Sequence, residues 1–399
     1  MNNQLKDSIK NNFWKLNLSR FVLDLAYLWI AVLFLFYQQQ GLSLTQIGIA
    51  TAVVSISVFL FEIPTGIFAD RFGRKSSLIL GGICQLLFPL TILFNTSYLL
   101  VILASATFGL GRAFESGADV AILHDTNRIT NKKTNFKEII GKYQGYGLIA
   151  GSISLFSAGF IAKYNFNFVF IISAIFFTIH ILIVSTIKEP EKYYNKNSRK
   201  QTTSLKHFIE SGKEIISNKE IIKIFIYSLT VSPIIMAVYK FHQIYADQVG
   251  INISHIGIIF ATMYLVAAIT SFNIKKIENK IGLNMFLYVM PLVLGLSYIL
   301  MGSFFSAFAI TFVLLESLVG GTARPIIEEM QNEYISKKKR ATTLSIISMA
   351  QHVFIAIISI IMGILAESKS LASTYVVIGI SVIIIGLFFA NKIKHSSSQ

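Results

Sequence analysis

Apolar residues run along this chain in blocks of about 18 to 25 positions, separated by short polar stretches, and the pattern recurs over the whole length. A helix that long, rising about 1.5 Å per residue, crosses a hydrocarbon core of about 30 Å. The blocks predict twelve spans, near residues 20–38, 46–69, 76–94, 98–120, 143–162, 166–187, 221–245, 254–274, 283–302, 305–325, 341–366 and 371–390. The expected fold is therefore an all-α integral membrane protein. The first 19 residues are polar and basic and lack a small-residue cleavage site. They read as a short cytoplasmic arm before a retained first span, not as a removable signal peptide.

The longest polar interruption, residues 188–220, divides the chain into a six-span half at 1–187, a cytoplasmic linker, and a second six-span half at 221–399. One short amphipathic helix is expected near 204–218 of that linker. The halves resemble each other. Leu42-Ser43-Leu44-Thr45-Gln46-Ile47-Gly48-Ile49 aligns with Ile251-Asn252-Ile253-Ser254-His255-Ile256-Gly257-Ile258, and the same offset of 209 residues carries Asp70-Arg71-Phe72-Gly73 onto Asn279-Lys280-Ile281-Gly282. Two matches in one register on equivalent helices indicate an internal repeat.

Composition agrees with the block pattern: 54% of residues are hydrophobic and 14% charged, too little charge for an ordinary soluble domain. The net charge of +15 invites a nucleic-acid partner until it is mapped onto the loops. With the N-terminus inside, 30 of the 35 Lys and Arg fall on inward segments and only Lys163 and Lys369 on outward loops. That bias orients a membrane protein with both termini in the cytoplasm, and excludes a polyanionic partner as the reason for the charge. The inward basic groups can also attract anionic lipid headgroups. Cys84 is the sole cysteine, which excludes a disulfide framework and a thiolate metal cluster. His124 with Asp125, and His352, lack the spacing of a metalloprotease helix, and the chain has no phosphate-cradling glycine loop. An enzyme, a bound metal and a cofactor are not expected.

Between the second and third spans stands Gly66-Ile67-Phe68-Ala69-Asp70-Arg71-Phe72-Gly73-Arg74-Lys75. This run fits G-x-x-x-D-R-x-G-R-K and resembles the signature loop of the major facilitator superfamily, with bacterial drug/proton antiporter-like members closest in character. The resemblance implies twelve helices in two pseudo-symmetric halves, alternating access, and a substrate site between the halves in the cytoplasmic membrane. It makes Gly66, Asp70, Arg71, Gly73, Arg74 and Lys75 a gating motif. Asp70 in that family sits against the N-terminal end of helix 11, here near Ala341 to Ser345, and pairs with the motif's arginines. A carboxylate at a positive helix end gains about 0.3 to 1 kcal/mol when exposed and up to about 2 when partly buried. Gly66 and Gly73 are expected where backbone approaches a neighbouring helix closely. The resemblance also makes helices 3, 6, 9 and 12 outer supports and puts 1, 4, 7 and 10 around a central cavity. Helix 4 departs from the family's R-x-x-Q-G spacing, since Gly117 follows Arg112 by five residues. Helix 5 has Gly147, Gly151 and Gly159 without the Gly-Pro pair common in exporters, a ladder suited to close packing on helix 8.

An ionisable group inside a span costs about 2.5 to 3.5 kcal/mol on insertion scales and faces protein or water. Such groups fall on helices 1 (Asp24), 2 (Glu62), 4 (Arg112, Glu115, Asp119), 7 (Lys240, His242), 10 (Glu316, Arg324) and 11 (His352), with His180 alone on a support helix. Arg112, Glu115 and Asp119 follow i, i+3, i+7 and are expected on one helical face. One arginine among several carboxylates leaves one of them ready to take up a proton. The same groups also serve as a structural ion network tying helices 1, 2 and 4 together, and the residues alone do not separate the two readings. Asp24, Glu62, Arg112, Glu115 and Glu316 are the proton-coupling candidates, Glu316 as an isolated buried acid. Aligning Gly117 with Gly321 sets Glu316 opposite Arg112. Tyr27, Tyr146, Gln351 and His352 are candidates to line a substrate cavity. Tyr239, His242 and Tyr245 read as interfacial belt residues. The expected function is proton-coupled efflux of a small amphipathic organic molecule by a single chain in the bilayer. Proton-coupled uptake of a small polar solute and lipid translocation are the alternatives.

Overall fold

The computed structural model describes residues 9–94, 96–130, 136–189, 212, 213, 215, 217–335 and 340–397. Among the described residues, twelve helices are long and apolar enough to cross a membrane: α1 (Asn12–Gln39), α2 (Leu44–Phe72), α3 (Arg74–Phe94), α4 (Tyr98–Thr130), α5 (Glu138–Tyr164), α6 (Phe166–Ser185), α7 (Lys219–Gln248), α8 (Ile253–Phe272), α9 (Leu283–Phe304), α10 (Ala309–Gln331), α11 (Thr342–Ser368) and α12 (Leu371–Ile393). No strand occurs among the described residues, and a short helix, Ile274–Ile281, follows α8. Most of the expected helix near 204–218 lies outside the described residues.

The polar arm ahead of the first span is shorter than expected, because α1 begins at Asn12. Asn12 is fully buried: its amide donates to Thr126 Oγ1 at 3.3 Å and to the Lys188 carbonyl at 2.9 Å, and its Oδ1 accepts from the Lys188 N–H at 3.1 Å. Leu16, one turn on, packs with Ile122, Leu123 and Val184. A polar residue with all its bonds made inside the protein lets the helix start early. Three spans are interrupted. A 3₁₀ turn, Tyr27–Ala31, divides α1, and another, Tyr239–Phe241, divides α7. In α4 the helix stops at Glu115, turns at Ser116 and Gly117 (φ +74°), and resumes at Ala118.

Two compact units result: Met1–Leu33 with Val53–Thr202, and Phe34–Ala52 with Thr203–Gln399. Residues 34–52, at the α1–α2 turn, thus pack with the second unit. There Gly48 of α2 meets α11, since an added Cβ would lie 3.3 Å from the Gly363 Cα, and the Thr45 N–H donates to Glu367 Oε2 at 2.9 Å.

The internal repeat is visible in backbone detail. Gly41 and Gly250 both turn at positive φ (+82° and +78°), and Leu42 N–H and Ile251 N–H close matching bonds onto Tyr37 O (3.0 Å) and Ala246 O (2.8 Å). Gly73 and Gly282, also at the 209-residue offset, have φ +100° and +81°. Close helix packing repeats as well. A Cβ on Gly109 of α4 would fall 2.5 Å from the Val54 carbonyl of α2, and one on Gly321 of α10 would strike the Ala267 carbonyl of α8. Gly109 and Gly321 each admit a close neighbour helix, although at the 209-residue offset their partners Val54 and Ala267 are about one turn out of register. Gly66 has no such role, because a methyl group there would meet nothing within 4 Å.

Gly109→Val should force α2 and α4 apart and cost about 1–3 kcal/mol, as overpacking does. Gly66→Ala should not. Thermal melts of the purified variants in detergent check this, and equal melting points for the two would refute the packing argument.

Candidate functional site

The first unit gathers its ionisable groups into one network. Arg20 and Asp24 lie one turn apart on α1 and pair at 2.5 Å. They have room because Gly147 of α5 carries no side chain: a Cβ there would sit 2.5 Å from Asp24 Oδ2 and 2.6 Å from Arg20 Nε. The ladder glycine Gly147 therefore opens toward α1. Arg20 also lies over the Tyr143 ring at 5.7 Å, and the Tyr143 hydroxyl donates to Asp119 Oδ2 at 2.5 Å.

A ring of side chains adjoins this pair. Arg112 Nη1 donates to the Tyr27 hydroxyl at 2.9 Å, Tyr27 donates to Gln85 Oε1 at 2.6 Å, and Gln85 Nε2 donates to Glu115 Oε2 at 3.0 Å. Glu115 Oε2 returns to Arg112 Nη1 at 3.7 Å, closing the circuit. Glu115 Oε1 lies 3.7 Å from His180 Nε2 of α6. Beneath the ring Tyr27, Trp29, Phe88, Phe108 and Phe177 pack edge to face or tilted, with centroids 4.5 to 6.5 Å apart. The Arg112 side chain remains 44% exposed, which leaves it able to meet a ligand, whereas that of Glu115 is 9% exposed.

The local folds explain the placement. The 3₁₀ turn starts at Tyr27, three residues after Asp24, and turns the phenol toward α3 and α4. The break at Gly117 interrupts the expected i, i+3, i+7 face. Asp119 instead stands in the first turn of the resumed helix, where its carboxylate accepts the Val120 N–H at 2.7 Å and turns to Tyr143. Glu62 of α2 is half-buried and joins none of these contacts; the network links α1, α3, α4, α5 and α6, and α2 stands outside it. Sequence reasoning passed over Arg20, Gln85 and Tyr143, and noted His180 without making it a site candidate. Arg20 and Asp24 at i, i+4 were a usable signal.

At the α2–α3 turn Arg74 pairs with Asp125 at the end of α4, and Glu189 accepts the N–H groups of Arg74 (3.2 Å) and Lys75 (2.8 Å), capping α3. The Arg71 guanidinium lies 5.3 Å from the centre of the Phe72 ring. Asp70 makes no hydrogen bond or ion pair among the described residues; the motif's Arg74 acts on its charge from a distance while pairing with Asp125.

The second unit has a dry cluster. His242 Nε2 and Glu316 Oε2 are 2.8 Å apart, each side chain 1% exposed, and His242 Nδ1 is 2.6 Å from the Tyr375 hydroxyl. Tyr245 is fully buried, with its hydroxyl on the Met301 carbonyl at 3.0 Å. His242 and Tyr245 are thus core residues rather than a belt, and Glu316 is paired rather than isolated. Tyr239 is half-buried against Phe260. Among the cavity candidates Tyr27 belongs to the ring, Tyr146 is exposed, and Gln351 and His352 are half-buried on α11.

Twelve apolar helices in two repeated six-helix sets, with charges gathered inside, define a multi-pass membrane carrier. The chain belongs to the Major Facilitator Superfamily, whose sequence model matches residues 16–242 and 236–398. An uncharacterized MFS-type transporter, YxaM of Bacillus subtilis (strain 168), is 24% identical over 352 residues, 85% of each chain. Among solved structures, the nucleoside transporter NupG superposes with a TM-score of 0.76 at 15% identity, over 95% of this chain and 98% of that one. A D-xylose-proton symporter does so with 0.74 at 13%, over 96% of each.

His242 holds two buried polar partners, Glu316 and Tyr375, and removing it leaves both unsatisfied at about 1–3 kcal/mol each. His242→Ala should therefore lower the melting temperature far more than Tyr375→Phe, which removes one hydrogen bond at about 1–3 kcal/mol. Thermal unfolding of the purified variants checks the order; the reverse order would remove the His242–Glu316 pair from the unit's stability.

Proposed function

We propose that the protein is a proton-coupled secondary carrier that exports a small amphipathic organic molecule by alternating access. The reading places it in the cytoplasmic membrane as a single chain with both termini inside. The observation that carries it is the charge count of the first unit's network: Asp24, Glu115 and Asp119 face Arg20 and Arg112, so three carboxylates meet two guanidiniums. One proton neutralises the set. Its loss leaves a negative charge in a low-dielectric place, where a substrate cation or a change of conformation compensates it. The half-open Arg112 beside Tyr27 suits the polar end of such a molecule.

Two observations favour the other directions. The D-xylose-proton symporter shares the fold, which is compatible with uptake. An apolar groove of about 300 Å³ in the second unit, lined by Ile226, Leu229, Phe354, Ile358, Ile378 and Val382, fits an acyl chain and supports lipid movement.

Everted vesicles holding the carrier separate these readings. For an exporter, candidate compounds dissipate an imposed pH gradient, and cells expressing the carrier hold less of a sensitive compound only while the gradient lasts. Higher uptake that an uncoupler abolishes establishes symport, and gradient-independent movement of a lipid analogue establishes translocation.

Asp24→Asn or Glu115→Gln should abolish gradient-driven transport, a loss of tenfold or more, with compound binding still measurable. Preserved coupling in both well-folded variants would move the proton elsewhere, and Glu62→Gln, outside the network, tests α2 as that place. Asp70→Asn should loosen closure on the side of the α2–α3 turn, read by cysteine crosslinking across that mouth. Unchanged crosslinking and transport would remove the latch role.

A further inference from the structure

His180 stands on α6, whose other residues from Phe166 to Ser185 carry no titratable side chain. Its ring is 2% exposed. Space for it comes from Gly82 of α3, where a Cβ would lie 3.2 Å from His180 Cδ2. The ring nitrogens have different partners. Nδ1 lies 3.2 Å from the Ser19 backbone carbonyl and 3.0 Å from Ser19 Oγ. A carbonyl oxygen only accepts, so the Ser19 carbonyl contact is a hydrogen bond only with the hydrogen on Nδ1, whereas the Ser19 hydroxyl fits either tautomer. The neutral ring then carries a bare lone pair on Nε2, which is buried and has no hydrogen-bond partner. That lone pair faces Glu115 Oε1 across 3.7 Å.

Two acceptors therefore look at each other across a gap that is too long for a hydrogen bond. One proton on Nε2 converts the mutual repulsion into an ion pair with a charge-assisted hydrogen bond. Glu115 is held from its other side, with Oε2 on Gln85 at 3.0 Å and 3.7 Å from Arg112, so Oε1 is the oxygen left for this proton. The other groups around the pair come from several helices. Arg20 and Asp24 follow Ser19 on α1 and neutralise each other, α3 brings the uncharged Gln85, α4 brings Arg112, and α5 brings Tyr143, which is bonded to Asp119.

We propose that His180 and Glu115 together form a proton-binding site, with His180 Nε2 the atom that receives the proton and Glu115 Oε1 the oxygen that holds it. Loading takes one proton from water and forms the Nε2–H bond; unloading breaks it and restores the facing lone pairs. The proposal deepens the proton-coupled reading above by naming the landing atom, yet it is measured without a transported compound. A support helix thereby becomes part of the proton site.

The test is ¹⁵N-histidine NMR on the purified full-length protein in lipid nanodiscs, with His180 assigned through the His180→Gln variant. At alkaline pH the wild-type ring should show a protonated Nδ1 and a bare Nε2, and acidification should add a proton at Nε2. Glu115→Gln should move that step toward acid by about one pH unit, a tenfold weaker hold on the proton. A wild-type ring that stays neutral down to pH 5, or that carries its hydrogen on Nε2 at alkaline pH, overturns the proposal. An identical titration in Glu115→Gln overturns the part played by Glu115. The wild-type tautomer decides the first point even if Glu115→Gln fails to fold. The vesicle assay is independent: an unaltered pH gradient alongside a titrating His180 would reject proton-coupled transport and keep the site, whereas coupling with a silent His180 would reject the site and keep the coupling.

Discussion

A charge on a membrane helix has to be answered inside the protein, because lipid offers neither hydrogen bonds nor a high dielectric. In the first unit Arg112 is answered by Tyr27, which leads through Gln85 to Glu115 and back. Much of the local geometry follows from closing that circuit. The 3₁₀ turn of α1 presents the Tyr27 phenol to two other helices, and Gln85, 0% exposed, would be an orphaned buried amide without its two partners. Gly111 lets α3 approach α4 closely, since a Cβ there would lie 2.7 Å from Gln85 Cγ and from the Gly81 carbonyl. The ring and the glycine contact need each other: wider spacing of α3 and α4 would stretch the Gln85–Glu115 bond.

Helix breaks position chemistry in both units. An unbroken α4 would carry Asp119 on the same face as Arg112 and Glu115, adding a third charge to one stripe. The turn at Gly117 moves it into a helix N-terminus, where a backbone N–H and Tyr143 share its charge. In α7 the corresponding break, Tyr239–Phe241, precedes His242, whose ring is gripped on both nitrogens by Glu316 and Tyr375. Helices α3 and α12 supply the neutral partners of these charges: Gln85 and Tyr375 are a primary amide and a phenol, each able to donate and accept.

Span number, the repeat and the family were legible because they rest on features many residues long: apolar blocks, a charge bias over whole loops, and an eight-residue match whose turn geometry recurs at Gly41 and Gly250. The site was legible only in part. Asp24, Arg112 and Glu115 stand out as charges in apolar surroundings, and the structure brings them together. Glu62 stands out equally and joins nothing in the network, because helical depth says how far down a residue lies but not which way it points. Arg20 was hidden by a span boundary drawn beside it. Gln85 and Tyr143 were invisible for a different reason: an uncharged polar residue in a span carries no insertion penalty large enough to flag it, so only its partners reveal it. His242 was misread because histidine and tyrosine near a span end fit an interfacial belt as well as a core, and the deciding fact, the pairing with Glu316, joins residues 74 apart.

The two units share a backbone plan and divide on charge. Close helix packing at glycine recurs in both, at Gly109 and at Gly321, yet the arginine one turn on differs: Arg112 turns into a ring of polar partners while Arg324 pairs with Glu328 and is 81% exposed. The second unit instead keeps one acid, Glu316, with a histidine in a site 1% exposed. Those environments differ in access. The His242–Glu316 pair is closed in on all sides, so its chemistry is spent inside the protein, on holding its helices to one another. Arg112 is bonded to the Tyr27 hydroxyl and still 44% exposed, so the first unit can offer a guanidinium to a ligand without breaking the ring that positions it.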